Sequence, residues 1–265
     1  MKEAWQSTLD SLRKRGMYRE LSPPTGMDFC SNDYLAHSRH PRVVEAAQKA
    51  LQKGGVGAPA ARLLRGQLPP HAEAETIAAQ WQGTEAALLF PSGYQANLAL
   101  LSTLPTSDDL VLSDELNHAS LIDGCRLSKA KVQTFMHNDL KVLRQLLAAE
   151  SGTKWIVTER VFSMDGDQSP VQEILNLCDE FDAFLMLDEA HSSALYSVLP
   201  PHPRLISRMV SGGKALGVGG ALVCGSKVLI QTLVNRARSF IYSTANQPAS
   251  AAALAESIRL VQDDP

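Results

Sequence analysis

Cysteine is scarce in this sequence of 265 residues, which has four, at Cys30, Cys125, Cys178 and Cys224. None of them stands in a C-x-x-C pair or at another metal-binding spacing, so no metal site is expected. Each has small or apolar neighbours, which favours buried free thiols. Free thiols are typical of a reducing compartment, and a cytoplasmic location is therefore predicted.

The sequence also has no large net charge and no long apolar run. The formal net charge is -3 and no Lys/Arg run stands out, so the chain has no basic footprint for nucleic acid. No segment approaches the ~20 apolar residues that a membrane-spanning helix needs, and the start of the chain lacks the apolar stretch of a signal peptide. The sequence thus predicts a protein that binds neither nucleic acid nor a membrane.

Short apolar runs alternate with longer amphipathic stretches from residue 41 onward. The runs predict seven strands, at Ala86–Phe90, Leu110–Ser113, Lys131–Phe135, Trp155–Thr158, Phe184–Leu187, Arg208–Ser211 and Ala221–Cys224. Helices are predicted at Pro41–Lys53, Tyr94–Leu104, Ala119–Ser128, Asp139–Glu150, Val171–Asp182 and Ser250–Val261. This alternation predicts an α/β fold with a mostly parallel, doubly wound sheet and helices on both faces.

Polar residues follow the ends of several predicted strands. They are Ser92-Gly93, Asn117-His118, Ser163, Asp188 with His191, and Lys214. In sheets of this kind ligands bind outside the carboxyl ends of the strands. The convergence of these residues on one sheet edge predicts a single functional site there.

Lys214 lies in a run of small residues, Ser211–Gly217, just after a predicted strand. A Lys that is shielded from water can serve as an amine nucleophile toward carbonyls, and glycine neighbours let a ligand approach the backbone. A phosphate-binding P-loop is excluded, because Ala215 stands where that motif needs Ser or Thr. A surface turn remains the alternative.

Two further segments carry candidate chemistry. Asp188 and His191 can point into one pocket from the end of a strand, although a strand-end cap with a hydrogen-bonded His is the alternative; a metal site lacks a third ligand. Ser92-Gly93 stands between a strand and a helix, where free N–H groups suit a phosphate. With Lys214 and His118, these groups match the aldehyde, pyridine nitrogen and phosphate of pyridoxal 5'-phosphate (PLP).

Seven segments, in order along nearly the whole chain, resemble the α-oxoamine synthase family of fold-type I PLP-dependent enzymes. They are Ser31–Leu35 (SNDYL), Ser92–Asn97 (SGYQAN), Leu116–Ile122 (LNHASLI), Phe162–Asp167 (FSMDGD), Asp188–His191 (DEAH), Lys214–Gly217 (KALG) and Arg238–Thr244 (RSFIYST). The resemblance implies the large domain of a fold-type I transferase, with a seven-stranded, mostly parallel sheet.

The resemblance also implies a role for each site residue. Lys214 would bind PLP covalently and then take the substrate's Cα proton, while Asp188 would pair with the ring nitrogen and keep it protonated. His191 would hydrogen-bond the phenolic oxygen, and His118 would stack on the ring and contact substrate. The remaining implied contacts are Gly93, Tyr94 and Ser211 to the phosphate, Ser163 to the ring edge, Ser243 and Thr244 to the phosphate of a neighbouring subunit in a homodimer, and Asn32 and Arg19 to the substrate.

The reaction implied is a decarboxylative condensation of an amino acid with an acyl thioester. Within the family, His137–Leu140 (HNDL) and Arg236–Tyr242 (RARSFIY) favour L-alanine and a pimeloyl thioester, either pimeloyl-CoA or pimeloyl-carrier protein, as in biotin biosynthesis. Two alternatives stay open: an acyltransferase that uses glycine and another acyl-CoA, as glycine C-acetyltransferase does, and a truncated homologue without catalytic activity.

The chain departs from the family pattern in two respects. The family usually continues Asp-Glu-Ala with His-Gly-Thr-Gly, whereas this chain reads His191-Ser-Ser-Ala-Leu, and the stretch from there to Lys214 is shortened. The family's second domain, of about 100 residues by ordinary domain size, is expected to be absent, with the Arg that binds the amino-acid carboxylate.

Three regions follow from this interpretation. Residues 1–40 would form an N-terminal helix and a substrate-side segment, residues 41–249 the PLP-binding large domain, and residues 250–265 the start of a linker helix. The apolar face of that last helix is expected to be exposed; it consists of Ala252, Leu254, Ala255, Ile258 and Val261.

Overall fold

The computed structural model describes residues 1–263, so Asp264 and Pro265, which end the predicted linker region 250–265, lie outside the described residues. The chain divides into two compact units, Met1–Ser31 and a second unit that begins at Asn32. The first unit contains helix α1 (Lys2–Lys14), and the Arg13 guanidinium lies 4.1 Å from the centre of the Tyr18 ring. The region boundaries at residues 40 and 249 stay predictions.

The second unit alternates strands and helices. The strands are β1 (Ala86–Phe90), β2 (Leu110–Asp114), β3 (Lys131–Phe135), β4 (Lys154–Glu159), β5 (Ala183–Asp188), β6 (Leu205–Ser211) and β7 (Ala221–Gly225). The helices are α2 (Pro41–Gly54), α3 (Pro69–Gln82), α4 (Gly93–Thr103), α5 (Ala119–Leu127), α6 (Leu140–Ala149), α7 (Val171–Glu180), α8 (Lys227–Arg236), α9 (Arg238–Ile241) and α10 (Pro248–Asp263).

All seven strands form one sheet in the order β1-β7-β6-β5-β4-β2-β3. Strands β3, β2, β4, β5 and β6 pair in parallel, while β7 pairs antiparallel with both β6 and β1. The carboxyl ends of the parallel strands therefore meet at one edge of the sheet. The predicted α/β fold with a mostly parallel sheet is confirmed.

Both faces of the sheet are covered by helices, as its buried strands require. Alternate residues of β1 show how the side chains divide, because Leu88 and Phe90 pack in a core with α4, α5, α8 and α9, whereas Leu89 packs in a second core with α2, α3 and α10. A third core lies between strands β2, β4 and β5 and helices α6 and α7. Among the helices of residues 1–263, none combines the length and apolar composition that a bilayer crossing requires.

Helix α10 contradicts one expectation from the sequence. Leu254, Ala255 and Ile258 were predicted to form an exposed apolar face, but all three are fully buried. Helix α10 packs on α2 and α3, and the Ser257 hydroxyl donates a hydrogen bond to the Leu216 carbonyl (2.8 Å). The prediction of an exposed face is wrong because this helix completes the cover of the sheet within the second unit.

The cysteine prediction is wrong at one position. Cys125, Cys178 and Cys224 are buried free thiols as expected, and Cys30 is a free but exposed thiol. Cys30 lies in an irregular segment of the first unit, where the Asp28 carboxylate accepts its N–H (2.9 Å). This turn gives the backbone N–H of Cys30 a hydrogen-bond partner, but it does not bury the thiol against apolar side chains.

Candidate active site

A cavity of about 440 Å³ opens at the edge of the sheet where the parallel strands end. Nine of the twelve predicted site residues line it, namely Asn32, Gly93, Tyr94, His118, Ser163, Asp188, His191, Ser211 and Lys214. They come from loops after five different strands and from the segment before α2. The structure thus brings together, from distant parts of the second unit, most of the residues selected from the sequence.

Three predicted residues are not among those that line the cavity. Ser243 and Thr244 follow α9, where the Ser243 hydroxyl accepts a hydrogen bond from Gln95 Nε2 (3.4 Å) and Thr244 forms an isolated β-bridge with Ala61. Arg19 belongs to the first unit and is exposed. The roles of these three residues toward a neighbouring subunit or substrate stay predictions.

Asp188 is a buried carboxyl at the end of β5. Its Oδ1 accepts the N–H of Ala190 (2.8 Å), and its Oδ2 accepts a hydrogen bond from Asn97 Nδ2 (2.7 Å). Burial raises the pKa of Asp188, although both hydrogen bonds and the nearby His118 oppose that rise. The Ala190 contact caps the end of the strand, and Asp188 also lines the cavity. A cation in the cavity would stabilise the ionised form of Asp188.

A second buried carboxyl, which the sequence analysis did not select, lies beside Asp188. Glu159 ends β4 and lines the same cavity, and its Oε1 accepts the N–H of His118 (2.6 Å). Burial, and then the charge of Asp188, raise the pKa of Glu159 to about 8. Near neutral pH Glu159 is therefore mostly protonated, and the pair carries at most about one negative charge.

A chain of short hydrogen bonds connects Asp188 to His118. Asn97 Nδ2 donates to the Ser120 hydroxyl (2.9 Å) as well as to Asp188, and the Ser120 hydroxyl lies 2.8 Å from His118 Nδ1. The N–H of Ser120 also points at His118 Nδ1 (3.2 Å). Because Nδ1 faces two donors, a neutral His118 carries its proton on Nε2. This arrangement fixes the orientation of the imidazole in the cavity wall.

His191 is held by a residue that was not singled out from the sequence. The Tyr34 hydroxyl lies 2.8 Å from His191 Nδ1 and donates to Asn32 Oδ1 (3.0 Å). Burial, and the positive charges of Lys214 and His118, lower the pKa of His191 to about 4. His191 is consequently neutral at physiological pH. Tyr34 lies in the family-like segment Ser31–Leu35, two positions after Asn32, and this is the feature of the sequence that could have identified it.

Gly217 explains how this segment comes close to Lys214. The residue has a φ of +65°, and a Cβ built on it would lie 2.3 Å from the backbone nitrogen of Ser38. No side chain fits at that distance, so the turn after Lys214 needs glycine on both steric and conformational grounds. The close approach places the backbone around Asn32–Ser38 against the turn that carries Lys214.

The amino-terminal end of α4 forms another part of the wall. Ser92 caps this helix by accepting the N–H of Gln95 (3.3 Å), and Gly93 and Tyr94 line the cavity at its first turn. The Tyr94 hydroxyl donates to the Asp123 carboxylate, which raises the pKa of Tyr94. The N–H groups at such a helix end suit a phosphate or another anion.

The chain matches known proteins over most of its length. The model of the family "Aminotransferase class I and II" matches residues 24–263. An 8-amino-7-oxononanoate synthase from Chromobacterium violaceum is 47% identical over 89% of this chain and 64% of its own length. Another, from Anaeromyxobacter sp. (strain K), is 42% identical over 97% of this chain and 70% of its own length. The motifs His137–Leu140 and Arg236–Tyr242 had favoured this member of the resembled family.

A solved structure agrees with these matches. A serine palmitoyltransferase from S. paucimobilis, with PLP–myriocin bound, superposes with a TM-score of 0.87 at 25% identity. The match covers 97% of this chain and 73% of that one. Our chain thus spans between 64% and 73% of the length of these three proteins. The shared fold, the matched motifs and the family model lead to one conclusion: the chain belongs to the aminotransferase class I and II family.

Proposed function

We propose that this protein condenses L-alanine with a pimeloyl thioester, with loss of CO2, to form 8-amino-7-oxononanoate for biotin biosynthesis. The proposal depends chiefly on one observation: Lys214, Asp188, His118 and His191 line one cavity. The names of the relatives support the choice of substrates. The homodimer and the cytoplasmic location predicted from the sequence are part of the same proposal.

Pyridoxal 5'-phosphate is the cofactor that the family indicates, and the cavity fits it. Buried Asp188 offers a partner for a protonated ring nitrogen, Lys214 offers an amine for the aldehyde, and the first turn of α4 offers N–H groups for the phosphate. Protonated Glu159 leaves the negative charge on Asp188, where that partner is needed. When bound, the cofactor acts as an electron sink for the substrate's Cα.

Residues of this chain would move the proton, orient the cofactor and contact the amino acid. Lys214 Nζ takes the proton from alanine Cα, after which a bond forms between that carbon and the thioester carbonyl, the thiol leaves and CO2 is released. His118 is held in orientation by Ser120 and so can lie over the cofactor ring. Asn32, joined to Tyr34, lies where it can contact the amino acid.

The proposal is tested by supplying PLP and measuring thiol and CO2 release from L-alanine with pimeloyl-CoA or pimeloyl-carrier protein. Glycine with acetyl-CoA serves as the competing pair, and Lys214→Ala as the inactive control. We expect release with alanine and a pimeloyl thioester only. Faster release with glycine would favour the sister acyltransferase, and PLP binding without release from any pair would favour a non-catalytic homologue.

A further inference from the structure

His137 is bonded to a carboxylate through each of its ring nitrogens. Nδ1 lies 2.9 Å from Asp114 Oδ1, and Nε2 lies 2.7 Å from Asp167 Oδ2. Asp114 ends β2, whereas Asp167 lies in the loop between β4 and α7. One imidazole, carried on the loop after β3, thus joins two other loops at the carboxyl edge of the sheet.

Both carboxylates are held by further bonds. Asp114 Oδ1 accepts the N–H of Leu116 (2.9 Å), and its Oδ2 accepts the N–H of Asn138 (3.0 Å). The amide of Asn138 also donates to Asp167 Oδ2 (3.0 Å). His137 and its neighbour Asn138 thus bond to the same two carboxylates, and together they join the two loops.

The loops joined in this way carry cavity residues. The loop after Asp114 leads directly to His118, and the turn between Phe162 and Asp167 presents Ser163 and Met164 to the cavity. That turn is closed by the Phe162 N–H to the Asp167 carbonyl (3.0 Å). The His137 ring also packs edge-on against the Phe162 ring, with 4.4 Å between centres.

We propose that His137 is a positioning residue: as an imidazolium bonded to Asp114 and Asp167, it holds the turn that carries Ser163 against the loop that carries His118. The inference rests on the proposed function only in taking this cavity to be the PLP site. His137 does not line the cavity, so it acts through the two loops and not by touching the cofactor.

The charge of the imidazole decides whether the arrangement is stable. An imidazolium donates from both nitrogens, whereas a neutral ring turns one lone pair toward a carboxylate. Burial lowers the pKa of His137, but the bonds to Asp114 and Asp167 outweigh this effect and leave the pKa raised. Among the described residues Glu115 also lies next to His137, and its Oε1 accepts the backbone N–H of His137 (3.0 Å) and not a ring N–H. The carboxylates of Asp114 and Asp167 thus favour the charged ring.

The pH dependence follows from the raised pKa. A His whose pKa is raised in the folded state contributes stability below its unfolded pKa and loses that contribution as pH rises through the folded value. The two loops are therefore held most firmly below the raised pKa of folded His137. At alkaline pH the neutral ring releases one carboxylate, and the Ser163 turn loses its fixed place.

The test compares His137→Gln, and Asp167→Asn as a second variant, with wild type. His202→Gln is the matched control, since His202 Nε2 pairs with the single carboxylate of Asp179 (3.4 Å) and does not line the cavity. NMR of labelled imidazoles gives the pKa of His137, and PLP fluorescence titration from pH 6 to 10 gives cofactor affinity. Hydrogen exchange reports the N–H groups of Asn138 and Gly166, and circular dichroism checks that each variant is folded.

We expect a His137 pKa above that of a free peptide, and wild-type PLP affinity that falls as pH rises through it. His137→Gln and Asp167→Asn should bind PLP about tenfold more weakly at pH 7, the scale of one charge-assisted hydrogen bond. They should also lose the pH step and exchange faster at both N–H groups. His202→Gln should keep the wild-type profile.

An unshifted His137 pKa, or wild-type affinity and exchange in both variants, would overturn the inference. Activity is not a readout, so a protein that binds PLP but fails to condense alanine would disprove the proposed function alone. If wild type bound no PLP, the His137 pKa and the exchange of Asn138 and Gly166 would still decide whether the ring holds the loops. If only one variant folds, that variant gives the answer.

Discussion

Glu159 and Asp188 are direct neighbours across the parallel strands β4 and β5, so two carboxyls enter the same cavity side by side. Their register explains why the pKa of Glu159 is raised to about 8, since burial and the Asp188 charge both oppose its ionisation. The pair provides one acid that stays protonated near neutral pH and one that can ionise opposite a cationic ligand.

The raised pKa of Glu159 predicts that the stability of the cofactor-free protein depends on pH. Unfolded Glu159 ionises near 4.5 and folded Glu159 near 8, so between these values the unfolded state binds fewer protons and stability falls as pH rises. The loss amounts to about 3 kcal/mol by pH 7. Glu159→Gln should remove it, and urea unfolding at pH 5 and pH 7.5 measures the difference. Equal pH slopes for wild type and variant would show that Glu159 titrates normally.

Asn97 should matter for stability and for the cavity together. Its buried amide donates to both Asp188 and Ser120, so Asn97→Ala removes one donor from each of two buried oxygens and should cost about 2 kcal/mol. The control is Asn176→Ala, because Asn176 accepts a bond from Gln172 on the exposed side of α7 and should change stability by less than about 0.5 kcal/mol. Similar losses of stability in both variants would mean that the hydrogen bonds from Asn97 to Asp188 and Ser120 stabilise the fold no more than an exposed hydrogen bond does.

Ala194 occupies a left-handed backbone conformation, with φ of 67°, where the resembled family usually has the second glycine of His-Gly-Thr-Gly. This conformation costs an L-residue about 1–2 kcal/mol, and glycine would remove that strain. Glycine also has greater freedom in the unfolded chain, which offsets part of the stabilisation. Ala194→Gly should therefore stabilise the fold by about 0.5–1 kcal/mol. Ala148→Gly, on the exposed face of α6, should instead destabilise by about 1 kcal/mol. Thermal unfolding of the two variants decides the point, and a loss of stability in both would contradict the strain at Ala194.

Asp188→Asn should separate binding from chemistry. The amide keeps the approximate shape and an acceptor for the Ala190 N–H, so PLP should still bind, but the charge that keeps the ring nitrogen protonated is lost. The condensation rate should fall about a hundredfold or more. Single-turnover thiol release, measured beside PLP affinity, separates the two effects. Activity close to wild type would mean that another group serves the ring nitrogen.

The fold could largely be predicted from the sequence because all of its strands except β3 are mostly buried. All seven strands were predicted within three residues of their ends, and the largest error was at β6, which begins at Leu205 and not at Arg208. The strand contains polar Ser207 and Arg208, which interrupt the apolar run, although both side chains are buried. Helix α3 was not predicted, because its buried face includes the polar residues His71 and Gln82 while its exposed face includes Ala72, so the sequence shows no clear apolar stripe.

The candidate site was predictable only in part, for a physical reason. Lys214, Asp188 and His118 stand in local motifs, and the rule for parallel sheets brought them together. Glu159 and Asn97 depend on strand register and on packing between α4 and β5, which one segment of sequence does not reveal. Tyr34 lay inside a quoted motif, but its contact with His191 spans 157 positions along the chain.

Lys214 as the residue that binds PLP is tested most directly by incubating the protein with PLP, reducing it with borohydride and mapping the labelled peptide. We expect one label, on Lys214, and none in Lys214→Ala. Lys227→Ala, which removes an exposed lysine at the start of α8, should label as wild type does. A label on another lysine, or equal labelling of Lys214→Ala and wild type, would contradict the assignment of this cavity as the PLP site.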